Sequence, residues 1–256
     1  MFEEKVLVCQ ESDPREIAIG ESYGFRVIRL PENVGIQDGI KTCFESSSNE
    51  QVLFLENDLQ LRGDPKSAIR ILSEASIHIQ TGTCHFAKFR YLPERRAQKS
   101  KAFDTYWQIR GNRIVRRLLG YMRRSKANWE LSTSIRLMHD IDALPDGFSK
   151  ISDDFILSTT KFNKWENLGL LTTRSFIKNL IEFAEENPTK RSINGKPDLE
   201  HPLNCRQNRD WLMSQQFRVI ISTPGLFGHR RYDRAEEDEK WSMVDPHDEG
   251  GDVEIS

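Results

Sequence analysis

The residues best placed to do chemistry are the two carboxylates of Glu56-Asn57-Asp58. They follow directly on Gln51-Val52-Leu53-Phe54-Leu55, an apolar run that reads as a buried strand, so they sit where a strand leaves its sheet. Open α/β sheets bind ligands outside the carboxyl ends of their strands, and two acidic side chains one residue apart could hold a divalent cation there. The tripeptide is equally ordinary turn chemistry, because Asn and Asp hydrogen-bond their own backbone. A second pair, Trp165 and Asn167, offers an aromatic face for stacking a sugar and an amide for a ligand hydroxyl. A core Trp and a turn-capping Asn are the competing readings.

Positioning these groups requires a particular order of elements. Lys5–Gln10 is a short apolar strand, and Glu11-Ser12-Asp13-Pro14 supplies a cap and a first-turn Pro for the helix after it. Phe25–Leu30 is a second strand, and Pro31-Glu32-Asn33-Val34-Gly35 turns into an amphipathic helix running to about Ser47. The strand ending at Glu56 comes third. Such a β-α-β-α-β succession predicts a parallel sheet with right-handed crossovers, its strand ends gathering Gln10–Asp13, Asn33–Gly35 and Glu56–Asp58 around one crevice suited to a nucleotide. No GxGxxG or GxxxxGK[ST] stands at these turns, which argues against dinucleotide-binding and P-loop classes.

Further along, the spacing predicts a helix from Pro65 to about Ile79, with His78 a surface or packing residue. A strand is expected over Asp153–Thr160 and a helix over Arg174–Glu186. Asp198-Leu199-Glu200 leads into a helix carrying Arg209, Asp210 and Trp211, followed by a strand over Phe217–Ser222 and a Gly-containing loop over Pro224–Asp233.

Composition narrows the function class. With 256 residues and 37% hydrophobic content, residues 1–240 are expected to form one domain, and 241–256 an acidic, disordered tail. Net charge is −2, so the chain as a whole has no bias toward polyanions. Locally, residues of about 84–129 form a basic, partly helical insertion, Lys88, Arg90 and eleven further Lys and Arg interleaved with Tyr, Phe and Trp. A solvated face, docking on an anionic membrane surface, and nucleic-acid binding compete for it, the last weakest because no binding motif accompanies the charge. Cys9, Cys43, Cys84 and Cys205 are scattered, with no zinc spacing, and read as reduced thiols. A strand at the very start leaves no room for a signal peptide, so a cytoplasmic protein, peripherally membrane-associated at most, is expected.

The strand Val6-Leu7-Val8-Cys9-Gln10, the Asn33-Val34-Gly35 turn, Glu56-Asn57-Asp58, and the late Asp198-Leu199-Glu200 with Phe227-Gly228-His229 share an order and spacing. In these the chain resembles GT-A-type nucleotide-sugar glycosyltransferases of the family-2-like group, over residues 4 to 234. The resemblance implies an α/β, Rossmann-like GT-A fold with a mixed, mostly parallel sheet flanked by helices. It implies a metal-dependent, inverting glycosyltransferase that moves a sugar from a nucleotide-diphosphate donor to a hydroxyl of a glycan or glycolipid. Mn²⁺ or Mg²⁺ would be held by Asp58, with Glu56 and His229 as further candidates. Glu56 stands where the family carries Asp, and its longer side chain suits the donor ribose or an outer-shell water. Imidazole suits Mn²⁺ better than Mg²⁺. Gln10, Glu11, Ser12, Asn33, Gly35, Glu56, Asn57 and Arg230 are the implied donor contacts, the guanidinium pairing with diphosphate. Glu200 is the implied base, with Asp198 as the alternative and a helix N-cap as the other reading of that pair. Trp165 and Asn167 would meet the acceptor. A sugar-phosphate nucleotidyltransferase is disfavoured, since its Gly- and Lys/Arg-rich first loop is replaced by the acidic Gln10-Glu11-Ser12-Asp13. A non-catalytic binder of nucleic acid or an anionic surface rests on the basic stretch alone.

Overall fold

Asp13 and Pro14 start the first helix as the sequence requires. The Asp13 carboxylate accepts the N–H groups of Arg15 and Glu16, and α1 (Pro14–Ser22) follows β1 (Val6–Gln10). β2 (Arg26–Leu30) returns parallel to β1, Val6 opposite Arg26 and Gln10 opposite Leu30. α2 (Ile36–Ser46) then leads to β3 (Gln51–Phe54). The computed structural model describes residues 3–91, 147–189, 195–205 and 207–229. Most of the basic stretch, the acidic tail and Arg230 lie outside the described residues.

Beyond β3 come β4 (Leu59–Leu61), α3 (Pro65–Gln80), β5 (Phe86–Lys88), β6 (Ser149–Lys150) and β7 (Phe155–Thr159). They are followed by β8 (Leu170–Thr173), α4 (Arg174–Glu186), α5 (Glu200–Asn204), α6 (Arg209–Gln215), β9 (Arg218–Ser222) and β10 (Phe227–His229). The main sheet has the order β3-β8-β5-β9-β7-β6. The fold is therefore mixed α/β, but its neighbour pairing is not mostly parallel: of the five contacts in this sheet only β5–β9 is parallel. The parallel β-α-β rule holds for β1 and β2, which pair with each other as a separate two-stranded sheet. It fails later because β8 enters between β3 and β5 in the opposite direction.

That insertion has a structural consequence. β7 ends with Thr159 opposite Arg218, while β8 begins with Leu170 opposite Lys88, so the two lie at opposite edges of the sheet. The connecting residues 160–169 must climb across one face of the sheet. Trp165, Asn163, Glu166 and Asn167 are accordingly all buried, an unusual state for a loop. Alternation along β5 sends Phe86 and Lys88 to this face and Ala87 to the other. The climbing segment and α4, through Phe176, Ile177, Leu180 and Ile181, cover the first face. α3 covers the second with Ala68, Ile71, Leu72 and Ala75. Asp64 caps α3 through the Ser67 N–H, and Thr173 caps α4 through the Phe176 N–H. Each fully buried Leu, Ile or Phe contributes about 1.5–3 kcal/mol, so the two faces carry the fold.

The four cysteines are free, Cys9 and Cys84 buried and Cys43 and Cys205 half-buried. Burial pushes the Cys84 thiol up to about 12 and the Cys43 thiol up to about 11, away from reactivity. Among the described residues no helix is long and apolar enough to cross a membrane. His78 packs edge-on against Phe155 and lies 3.7 Å from Glu74.

His85 joins the sheet edges. Its Nδ1 accepts the Arg218 N–H at 3.0 Å, and its ring lies between Phe176 and Phe217. Burial and the Arg218 charge hold the imidazole below its ordinary pKa, outweighing the Arg218 N–H contact. The unfolded chain therefore binds more protons as pH falls below about 6.5, and stability is lost from there down to the lower folded pKa. Urea midpoints compared between pH values of about 7.5 and 5.5 are expected to fall more steeply for the wild type than for His85→Asn. Parallel slopes would remove His85 as the cause.

Candidate active site

One row across the main sheet sets the geometry. Phe54, Leu170, Lys88 and Ile221 are successive cross-strand partners, the last residues of β3 and β5, the first of β8 and the penultimate residue of β9. Whatever follows Phe54 and Lys88, and whatever precedes Leu170, must lie beyond this edge. Glu56–Asp58, Arg90 and Gly169 are those residues, and the segment that climbs over the face arrives there.

The acidic turn leads into a two-stranded ribbon, of which β10 falls in the stretch expected to be a Gly-containing loop. β4 and β10 pair antiparallel, with His229 opposite Leu59 and Phe227 opposite Leu61. The backbone of His229 is thus set beside the residue that follows Asp58. The ribbon is fixed to β5 by a bridge between Arg90 and Phe227 and by the Tyr91 N–H, which donates to the Phe227 carbonyl at 2.8 Å. Gly225, at φ +63°, permits this approach, since a Cβ there would stand 2.6 Å from the Arg90 carbonyl oxygen and from the Tyr91 Cα. Among the described residues no group of three His, Cys, Asp or Glu is arranged to hold a metal ion.

At the centre lies a cluster that the sequence reading missed. Lys88 and Arg90, two residues apart along the chain leaving β5, meet Glu166 from the climbing segment. Glu166 Oε1 lies 3.3 Å from Arg90 Nη1 and 3.2 Å from Lys164 Nζ, and Oε2 lies 3.6 Å from Lys88 Nζ. Lys88 also donates to the Lys164 carbonyl at 2.7 Å. The Glu166 and Lys88 side chains are 4% and 5% exposed, so this is an interior ion cluster and not a surface feature. Burial pushes the Glu166 carboxyl up, but the charges of Lys88, Arg90 and Lys164 outweigh it and hold it below the ordinary glutamate range. Burial holds the Lys88 ammonium down, against the pull of Glu166. Lys88 and Arg90 stand in the stretch read as a basic surface insertion. The correction is that the start of this stretch belongs to the core, with Cys84, Phe86, Ala87, Lys88 and Phe89 all buried and Arg90 half-buried. The pairing of Arg90 with a carboxylate 76 residues away leaves no local sequence signal.

Glu200 stands beside this cluster at the start of α5. Its Oε1 accepts the Asn167 N–H at 2.8 Å. Burial raises the Glu200 carboxyl above the ordinary glutamate range, and the nearby Glu166 and Asp198 charges add to this against the Asn167 N–H and Lys164. A carboxylate so placed is a stronger base than an exposed one. Asp198 has a different position: its Oδ1 and Oδ2 accept the N–H groups of Glu200 and His201, each at 3.2 Å. It precedes the N-cap residue Leu199 and holds the first N–H groups of α5 with both of its oxygens.

The first crevice wall is joined to this base. Gln10 spans the gap from β1, its Oε1 accepting the Val34 N–H at 2.8 Å and its Nε2 donating to the Gly35 carbonyl at 3.4 Å. Asn33 Oδ1 accepts the Gly35 N–H at 2.9 Å. The Gln37 N–H donates to the Pro197 carbonyl at 3.2 Å, tying the turn to the segment that carries Asp198 and Glu200. Gly35 has φ +92°, and a Cβ there would press on Lys196 Cβ at 2.6 Å. Glu11 adopts a left-handed φ of +54° and is exposed, while Ser12 is half-buried. Hydrogen bonds thus tie Gln10, Asn33 and Gly35 together and join their turn to the segment carrying Asp198 and Glu200, and Glu200 in turn holds Asn167, the residue after the Arg90 partner Glu166.

Two acceptor-site expectations need correction. Trp165 is 1% exposed, packed on Phe86 with its Nε1–H donated to Asn167 Oδ1 at 2.8 Å. It is a core residue of the climbing segment and presents no face for a sugar. Asn167 is 2% exposed, its side-chain oxygen held by Trp165 and its N–H by Glu200, so its role is to fix the base. Compared with models of protein families and with curated proteins, the chain matches none.

Proposed function

We propose that the chain is a nucleotide-sugar-dependent glycosyltransferase of the GT-A type, transferring a sugar to a hydroxyl of a glycan or glycolipid with inversion. The observation that carries this reading is a convergence at one sheet edge. There the β4–β10 register sets His229 beside the Asp58 turn, and the Asn167 N–H holds Glu200, whose burial makes it basic.

A divalent ion would be held by Asp58, a hard oxygen donor, with His229 the further candidate that the resemblance implies, an imidazole suiting Mn²⁺ better than Mg²⁺. A divalent ion held there would act as a Lewis acid, neutralising the charge that develops on the leaving nucleoside diphosphate. Glu200 takes the proton of the acceptor hydroxyl as that oxygen attacks the anomeric carbon. Gln10, Asn33 and Gly35 shape the wall on which the nucleotide rests. The sugar-phosphate nucleotidyltransferase and the non-catalytic binder gain no support, and the latter loses two of its cations to the interior.

A panel of nucleotide sugars, scored by thermal shift and donor hydrolysis with and without Mn²⁺, tests the proposal. A ligand at a hundred times its Kd raises stability by about 2.7 kcal/mol. One donor is expected to give such a rise only with the metal, and Asp58→Asn to lose the metal-dependent part while keeping its unliganded melting temperature. A panel in which no donor shifts melting in either condition would overturn the transferase reading.

A further inference from the structure

A buried loop has no strand partner for its backbone, so side chains must satisfy it. The climbing segment shows this at three places. The Lys164 carbonyl accepts from Lys88 Nζ at 2.7 Å, and the Asn167 N–H donates to Glu200 Oε1 at 2.8 Å. Between them, Asn204 takes both backbone groups of Trp165: its Oδ1 accepts the N–H at 2.9 Å and its Nδ2 donates to the carbonyl at 2.8 Å. A side-chain amide carries a donor and an acceptor side by side, which is what this double contact requires. Glu200 and Asn204 are the first and last residues of α5, four apart, and so stand on one face of the helix. The residues they hold are themselves joined, since the Trp165 Nε1–H donates to Asn167 Oδ1 at 2.8 Å. A helix of five residues is too short to place itself, because nucleation costs more than so few backbone bonds return. Its position comes from these contacts, from Asp198 at its start, and from Leu199 and Leu203, which share the core of Trp165.

We propose that Asn204 is a positioning residue for Glu200: by gripping the Trp165 backbone one turn further along α5, it fixes the helix on the climbing segment where Glu200 meets the Asn167 N–H. This rests on the transferase reading for the role of Glu200 as base, but not for its placement. Asn204 acts on the reaction only through Glu200. A merely structural Asn204 would hold Trp165 in the core and leave the environment of the Glu200 carboxyl as it is.

The test follows the Glu200 carboxyl itself, by ¹³C NMR of the full chain labelled at the glutamate side-chain carboxyl carbon, the signal being assigned by its loss in Glu200→Gln. The groups that face this carboxyl are Glu166, Asp198, Lys164 and Lys88, with the Asn167 N–H. Burial is the largest cause of its raised titration, so a Glu200 released toward water should titrate lower. Asn204→Ala is expected to move the midpoint down toward the ordinary glutamate range. Thr172→Val is the control, since it removes a buried side-chain hydrogen bond to the His85 carbonyl on β8 and should leave the midpoint in place. Should Asn204→Ala fail to fold, Asn204→Gln takes its place: the same amide one methylene longer should displace Glu200 and move the midpoint the same way. An unchanged midpoint in the Asn204 variant, or an equal movement in Thr172→Val, overturns the proposal. With a nucleotide-sugar donor that is turned over, Asn204→Ala should also lower kcat by on the order of 10²-fold and leave the donor KM unchanged, the cost of a misplaced catalytic group. If no donor is turned over by the wild type, the transferase reading falls, and the placement of Glu200 by Asn204 is still decided by the titration.

Discussion

Replacing Glu200 by Gln is expected to lower sugar transfer by about 10²–10⁴-fold, the range that a positioned general base contributes, while leaving donor binding in place. The substitution keeps the shape of the side chain, and its carbonyl oxygen can still accept the Asn167 N–H that Glu200 Oε1 accepts at 2.8 Å. What it removes is the ability to take a proton. Because burial raises the Glu200 carboxyl, with the Glu166 and Asp198 charges adding to it, kcat/KM of the wild type should fall on the acid side with a midpoint above the ordinary glutamate range. The residual activity of Glu200→Gln should lack that limb. Asp198→Asn supplies the contrast: its oxygens hold the first N–H groups of α5, so it should cost about 1 kcal/mol of stability and keep the acid limb, moved toward lower pH by the loss of the Asp198 charge. Initial rates across pH for the three proteins decide the matter. Should Asp198→Asn lose the rate and Glu200→Gln keep it, the base is Asp198 and the burial argument fails.

Why Glu200 could be singled out from sequence while Glu166 could not is a question of distance along the chain. The elements that follow local rules were legible: Asp13-Pro14 starts α1, Asp64-Pro65 starts α3, and α4 spans Arg174–Glu186 as its spacing predicts, with Thr173 as its cap. Asp198-Leu199-Glu200 was visible because a carboxylate before a helix is a local signal. β5, β8 and β10 carried none. Each is three or four residues long, set among charges, turn residues or glycines, and each becomes a strand only through pairing with distant partners. Lys88 looked like one more surface cation because its environment is made by the segment that climbs from β7 to β8, and that climb follows from a sheet order no local pattern encodes. The same climb turns Trp165 from a candidate sugar platform into core. Burial of polar residues in a loop was the missing clue.

The interior position of Glu166 makes its removal the largest stability effect expected in this chain. Glu166→Ala removes the carboxylate on which Lys88, Arg90 and Lys164 converge, and breaking one side of a buried ion pair costs about 3–5 kcal/mol. Arg90 and Lys164, with side chains 19% and 14% exposed, can turn partly to water, but Lys88 at 5% cannot. The double variant Lys88→Met with Glu166→Leu should therefore lose less than the two single losses combined, since it replaces charge by apolar volume at a contact. The dependence on pH has a definite sign. The three cations hold the folded Glu166 carboxyl below its unfolded value of about 4.3, even against burial, so its contribution is present above that pH and is lost as pH falls toward the folded value. Urea denaturation of wild type and Glu166→Ala should show a gap that is constant near neutrality and narrows on acidification below about 4.3. A gap within the 0–1 kcal/mol typical of exposed ion pairs would mean that water enters the cluster, and the sheet edge would then be an open surface instead of a dry charged wall.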